Sequence, residues 1–350
     1  MQKSFLKKAL EGFNSYVPGE QPPDGEDWVK LNTNESPLPP SPHVIEAIKA
    51  AAGDALRLYP SPKATPARAA IAAHHGLDVS QVAVGNGADE LLEMCFRAFA
   101  GAGDRVAYPI PTYPLLAPLC QVHEVVPAPH PCAEGWTWTS LLADDDAPLK
   151  FLVNPNSPTG TWHGHTSVER VLTRSQGVVV LDEAYVDFAP KSCVDLLASH
   201  PNLLVIRTFS KSYALAGMRI GYALGAPELI AALDAVKDSY NMDRLAVVAA
   251  VAAIQDQEHH RRIVDHVIDE RRWLESQLHE GGFEHSPSEA NFVFAKPVFS
   301  TSAAAIADAL REQRILVRHY DREPIAGWFR ITIGTREQHQ RLLSALEEIL

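Results

Sequence analysis

Four short apolar runs in the 350-residue chain are each followed at once by residues able to do chemistry. Val82–Val84 leads into GNGADE, and Phe151–Val153 into NPNSPTG. Val178–Leu181 ends on Asp182 in VVVLDEAY, and Leu203–Ile206 runs into RTFSKSYALAGMRIGY, which holds Ser210, Lys211 and Arg219. The glycines of GNGADE let the backbone turn tightly, so that the N–H groups of Ala88 and Asp89, at a helix start, can hold a phosphate. The Pro-stiffened turn NPNSPTG presents the amides and hydroxyl of Asn154, Asn156 and Ser157. A carboxylate that ends a buried run, as Asp182 does, is costly unless it meets a cation.

Each of these features also has an ordinary structural use. GNGADE lacks the third glycine of a dinucleotide fingerprint and can be a plain strand-to-helix turn. Asp182 can cap a helix, the NPNSPTG side chains can serve the turn itself, and Lys211 can be a surface residue. Taken together they narrow the choice, because one cofactor needs a phosphate cradle, a carboxylate for a pyridinium nitrogen and an amine for an aldehyde. That cofactor is pyridoxal 5′-phosphate, PLP.

The elements that must position these residues follow from the pattern between them. Runs this short, rich in Val and Leu and without polar alternation, predict strands buried on both faces of a parallel sheet, and the helical patterns between them complete an α/β signature. In such sheets ligands bind outside the carboxyl ends of the strands, where these motifs fall. Ahead of the sheet, YVPGEQPPDGEDW and NESPLPPSP predict an extended arm. Ser41 and Pro42, with Val44, Ile45, Ile48 and Ala52 at helical spacing, open the first helix. Beyond Arg244 come long helical stretches, then strand-like NFVFA, ILVRHY and WFRITIG, and a last amphipathic helix through Leu342, Leu343, Leu346 and Ile349. The expected organisation is an arm over 1–39, a large α/β domain over 40–243 and a small α+β domain over 244–350.

Composition removes several classes of function. With 31 Lys and Arg against 43 Asp and Glu, the net charge of −12 disfavours nonspecific binding to nucleic acid or an anionic membrane, while leaving room for a small anion held by local arginines. No run reaches the roughly 20 apolar residues of a membrane span, and the N-terminus lacks the apolar core of a signal peptide. The four cysteines form no C-x-x-C pair, as expected of thiols in a reducing cytoplasm. His74–His75, His163-x-His165 and His259–His260 include no H-E-x-x-H, so no metal site is expected, and Asp144–Asp146 reads as a solvated loop. There is no P-loop signature.

The chain resembles the fold-type I PLP-dependent aminotransferases and, among them, the histidinol-phosphate aminotransferases. The resemblance runs through LNTNESP, YPSP, GNGADE, PTY, NPNSPTG, DEAY, SKSYALAGMRIG, ANFVF and FRITIGT, and so spans nearly the whole chain. It implies that Lys211 bonds to the cofactor aldehyde and then moves the proton at the substrate carbon, as suits an amine whose pKa is lowered by burial and neighbouring cations. By the same resemblance Asp182 keeps the ring nitrogen protonated, Tyr185 contacts the phenolic oxygen and Tyr113 stacks on the ring. Ser210, Arg219 and the Ala88 and Asp89 amides are implied to hold the phosphate, with Tyr59 of YPSP reaching it in a neighbouring subunit, so that the unit is a homodimer. Arg330 matches the arginine that grips the substrate carboxylate, for which a planar guanidinium suits better than an ammonium. Arg318 is expected to take a second anionic group, with Tyr16 and Asn34 from the arm beside it.

Two departures bear on these expectations. Where the family has Asn before PTG, this chain has Ser157, so the contact to the phenolic oxygen passes to Asn156 or to the serine hydroxyl. The second aromatic of PTYxxY is Leu116, and Met242 follows YN near the expected substrate pocket. The expected reaction passes an amino group between histidinol phosphate and 2-oxoglutarate. Aromatic amino acids are the alternative substrates, and decarboxylation of a phosphorylated hydroxy-amino acid is a further alternative. A ligand-sensing regulator of the same fold is disfavoured by the presence of Lys211 and by the lack of an attached DNA-binding segment.

Overall fold

A computed structural model describes residues 5, 7, 10–13, 15–23 and 25–350. The remaining positions of the expected arm lie outside the described residues. Within the arm, β1 (Val29–Lys30) pairs in parallel with a short strand from the far end of the chain. The core of the fold is a seven-stranded sheet of β2 (Val82–Gly85), β3 (Arg105–Ile110), β4 (Val126–Pro131), β5 (Leu149–Val153), β6 (Val178–Asp182), β7 (Leu203–Thr208) and β8 (Gly221–Gly225), in the order β2-β8-β7-β6-β5-β3-β4. All pairs are parallel except the two made by β8, which runs opposite to its neighbours β2 and β7.

The sheet is buried on both faces, and alternation along each strand explains how. Val179 and Leu181 of β6, with Leu203 and Val205 of β7, enter one apolar cluster, while Val180, Leu204 and Ile206 enter the cluster on the opposite face. Two strands escape the pattern of apolar runs. β8 is GYALG, whose glycines read as a turn, and β4 is VPAPHP, tolerable as a strand because it lies at the sheet edge, where a missing N–H costs no ladder bond.

A second sheet of β12 (Arg318–His319), β13 (Phe329–Thr332), β10 (Phe292–Pro297) and β9 (Phe283–His285) is antiparallel throughout, and β11 (Ile315–Leu316) is the strand that takes β1. Its core joins Phe292, Phe329 and Ile331 to the long helix Gln257–Glu280 and the last helix Arg336–Ile349. Tyr185 and Phe188, from the loop after β6, insert into this same core. The helix Arg244–Gln255, expected with the C-terminal unit, packs its Ala246, Ala249, Ala250 and Ala253 face on Val44, Ala67 and Ile71 beside the central sheet. We therefore propose Asp256, which caps the next helix, as the boundary between the two units.

Candidate active site

One cavity of about 380 Å³ gathers the carboxyl ends of the central strands, the small sheet and the arm. β6 delivers Asp182 to its floor. This carboxylate is buried, accepts a 2.9 Å hydrogen bond from the Ala184 N–H and has no ion-pair partner among the described residues. Burial pushes its pKa up to about 7, against the backbone hydrogen bond that lowers it. Lys211, in the loop after β7, is half-buried, with Nζ 3.5 Å from the Thr33 carbonyl. Burial first, and the nearby Arg330 charge second, bring its pKa down to about 8.

Around these two groups stand the polar walls. At the end of β2, Gly87 adopts φ +88 and precedes the helix Ala88–Phe99, so the free amides of its first turn face the cavity. A Cβ on Gly87 would come within 2.7 Å of Arg219 Nη2, which explains the side-chain-free residue there. Arg219 itself lies 3.5 Å from Ser210 Oγ and 3.4 Å from the Asp89 carboxylate. Tyr113 donates to Asp89 at 3.0 Å, and its ring tilts against that of Tyr16 with centroids 5.9 Å apart. The Tyr185 hydroxyl accepts from Asn34 Nδ2 at 2.9 Å. Asn34 is held in a left-handed conformation by the Thr332 hydroxyl and by Asn291.

The substrate end is basic. Arg330 of β13 donates to Ser157 Oγ at 3.1 Å and to the Asn32 carbonyl at 3.0 Å, while its buried Nε has no partner among the described residues. Arg318 of β12 donates to the Val17 and Pro18 carbonyls at 2.8 and 3.2 Å, so the arm already uses this guanidinium.

Two expected residues are not brought into the cavity. Asn156 is buried in its own turn: its amide donates to the Pro111 carbonyl and to Thr159 Oγ1, and its carbonyl accepts from Thr112. Both ends of its side chain are hydrogen-bonded away from the cavity, and Ser157 is the one of the pair that lines it. Tyr59 lies elsewhere, 79% exposed and stacked on Tyr240 at 4.5 Å, in a shallow groove with Leu56, Pro60 and Arg244. The structure also adds Glu35, Thr208 and Tyr320 to the cavity wall. Glu35 belongs to LNTNESP and Tyr320 to ILVRHY, so the sequence signal for both lies in those motifs. Among the described residues, no group of His, Cys, Asp and Glu is arranged to hold a metal ion.

A carboxylate and an amine at the carboxyl ends of adjacent parallel strands, a helix N-terminus and two arginines make a site for a phosphorylated cofactor that handles amines. The chain matches the family model for aminotransferase class I and II over residues 26–346 and belongs to that family, and with it is a PLP-dependent transaminase of fold type I. It is 45% identical to a histidinol-phosphate aminotransferase of Acetobacter pasteurianus, covering 99% of this chain and 98% of that protein. To the same-named protein of Syntrophotalea carbinolica it is 41% identical over 98% of this chain and 99% of the other. Among solved structures, histidinol-phosphate aminotransferase from Sinorhizobium meliloti in complex with PLP superposes with a TM-score of 0.85 at 30% identity, covering 91% of this chain and 90% of that one.

The residues present fit the cofactor. Asp182 is a desolvated carboxylate in want of a cation, the Gly87 turn leaves room for a phosphate beside free amides, and Lys211 is an amine with a lowered pKa.

Proposed function

We propose that this chain transfers an amino group from histidinol phosphate to 2-oxoglutarate, giving 3-(imidazol-4-yl)-2-oxopropyl phosphate and glutamate. The reading is carried by one observation: Arg330, with its buried Nε unpartnered among the described residues, shares a single cavity with Lys211 and Asp182. The names of the relatives, similar over nearly the whole chain, support it.

PLP supplies the aldehyde that takes up the amine and a ring that draws away the electron pair left at the substrate carbon. The chain's own residues do the rest. Lys211 Nζ is the bonding amine and the proton carrier at that carbon, and it is basic enough to accept a proton while remaining partly neutral near pH 8. With PLP bound, Asp182 would keep a proton on the ring nitrogen, Tyr185 and Ser157 would serve the phenolic oxygen, and Tyr113 would cover a ring face. The amides of Ala88 and Asp89, with Ser210 and Arg219, would hold the phosphate. Histidinol phosphate has no α-carboxylate, so Arg330 serves the glutamate carboxylate in one half-reaction and the substrate phosphate in the other. Arg318, Tyr16 and Asn34 close the substrate end.

Tyr59 supports a homodimer. A tyrosine left 79% exposed beside half-exposed Leu56 and Leu58 suits burial by a second copy, where it would reach that copy's phosphate site. The cytoplasm suits the unpaired cysteines, and no helix of the described residues is long and apolar enough to cross a membrane.

The test is a single turnover. PLP-loaded protein is mixed with histidinol phosphate and, separately, with phenylalanine, and loss of the visible band of the lysine-bound cofactor is followed. Fast loss with histidinol phosphate alone is expected. Fast loss with phenylalanine alone would move the activity to aromatic amino acids, and a protein that forms no band with PLP would overturn the role of Lys211.

A further inference from the structure

Directly behind the cavity lies a buried charged cluster that the reaction as described leaves unused. Its centre is Asp187, in the short turn that follows Tyr185. Arg207, the β7 residue ahead of the lysine loop, donates to one oxygen of this carboxylate. Ser212, the residue after Lys211, donates its hydroxyl to the other oxygen, and His260 of the long helix reaches that same oxygen at 3.2 Å. The next residue of the loop, Tyr213, stacks on the His260 ring with centroids 4.1 Å apart and accepts a hydrogen bond from Gln257 at 3.2 Å. Partial burial works against the charge of the Asp187 carboxyl, but the Arg207 guanidinium beside it outweighs that and holds the carboxyl well below the usual carboxylate range, so it is ionised at neutral pH.

The loop so gripped is not relaxed by itself. Ala214, three residues beyond Lys211, is held at φ +56, a left-handed conformation that alanine disfavours, and it closes a turn from its N–H to the Lys211 carbonyl at 3.1 Å. Something must overdetermine the loop, and the contacts to Asp187 and the helix start do so. The same carboxylate ties together two loops: the one carrying Asp182 and Tyr185, and the one carrying Lys211.

We propose that Asp187 is a positioning residue for the reaction, acting through the Ser212 hydroxyl to hold the Lys211 backbone in register with Asp182 and Tyr185. Arg207 balances its charge in the dry interior, and His260 locks the far side of the loop to the helix Gln257–Glu280, which packs in the core of the small unit. The lysine is thereby indexed to both packing units at once. Truncating Asp187 alone would leave Arg207 buried without a counter-charge and could unfold the protein. Ser212→Ala removes the link to the lysine loop while the Asp187–Arg207 pair stays intact, and is the sharper variant.

The inference rests on Lys211 being the reacting amine, so the experiment first establishes that. Cofactor-free wild type should form the visible band with added PLP and Lys211→Ala should not; if either fails, that reading falls on its own. Given both, the pH dependence of band formation in cofactor-free Ser212→Ala and Asp187→Asn is compared with wild type. We expect the rate of PLP capture and kcat to fall about tenfold, as for loss of a hydrogen bond to a charged group. KM should stay within about twofold, since no substrate contact is lost, and the pH midpoint of capture should shift. Because the Ser212 hydroxyl acts through the Asp187 carboxylate, its removal should slow capture by less in Asp187→Asn than in wild type, so that the two losses do not multiply. A Ser212→Ala protein with a lower melting temperature but unchanged capture rate, midpoint and kcat would reduce the cluster to a structural role and overturn the proposal. A double variant whose losses multiply would also overturn it.

Discussion

Replacing Asp182 by asparagine should stabilise the cofactor-free protein at neutral pH while crippling the loaded enzyme. The carboxyl is buried with a single backbone donor, and its pKa rises from 3.8 to about 7 chiefly through desolvation. At roughly 1.4 kcal/mol per pH unit, a rise of about three units amounts to about 4 kcal/mol. The sign follows from linkage. Because the folded pKa lies above the unfolded one, Asp182 contributes most below about pH 4, and its contribution is lost as pH climbs through 7. Asparagine has no charge to bury, so the stability difference between variant and wild type should grow from pH 4 to 7 and level off at about 4 kcal/mol above it. Urea unfolding of both cofactor-free proteins at pH 5, 7 and 8.5 measures this directly. With PLP bound the advantage should vanish or reverse, since a protonated ring nitrogen gives the wild-type carboxylate the cation it lacks. A difference that does not change with pH would refute the reasoning, because it would mean that Asp182 ionises in the folded protein as readily as in water.

Other expectations follow from the same geometry. Capture of PLP by the cofactor-free protein should accelerate as pH rises through about 8, because only the neutral amine of Lys211 bonds to the aldehyde; a midpoint near the ordinary lysine value of 10.5 would contradict its burial beside Arg330. Arg330→Ala should slow both half-reactions by about 10- to 100-fold in kcat/KM, the worth of a charged hydrogen bond. Loss in the glutamate half alone, read by stopped flow, would exclude a shared anion site. Gly87→Ala places a Cβ 2.7 Å from Arg219 Nη2 at a φ of +88, so PLP should bind about tenfold more weakly, as when a left-handed position is forced on alanine. Pyridoxal, which lacks the phosphate, should bind unchanged in a fluorescence titration.

Much of the candidate site is legible in the chain because it is local. Asp182 ends one run of apolar residues and Lys211 follows another by a few residues, both runs having the length and composition of a doubly buried strand, and in a parallel sheet such strand ends share one edge. The first helix start at Ser41 and Pro42 is legible for the same reason, since a cap and a first-turn proline act within a few residues, and Ser41 does accept from the His43 N–H. Less legible was the choice between Asn156 and Ser157. Neighbours along the chain point to different surroundings, and only the packing of Thr112, Pro111 and Thr159 against Asn156 turns it inward.

The sequence by itself determined which residue types close which strands, and hence the α/β class, the cofactor chemistry and most of the cavity wall. Tertiary structure decided what depends on partners distant in the chain. β8 becomes a strand because Gly221–Gly225 fits between β2 and β7, where a bare glycine at 221 lets the Ala88 backbone approach within 2.6 Å of a Cβ position. The helix Arg244–Gln255 joins the large core because its alanine face matches Val44 and Ala67. Arg318, expected to take an anionic group, also donates to the Val17 and Pro18 carbonyls, some 300 residues away. Local propensity and hydrophobic period are written in adjacent letters, whereas burial, register and the pKa values that follow from them are set by whatever the rest of the chain packs alongside.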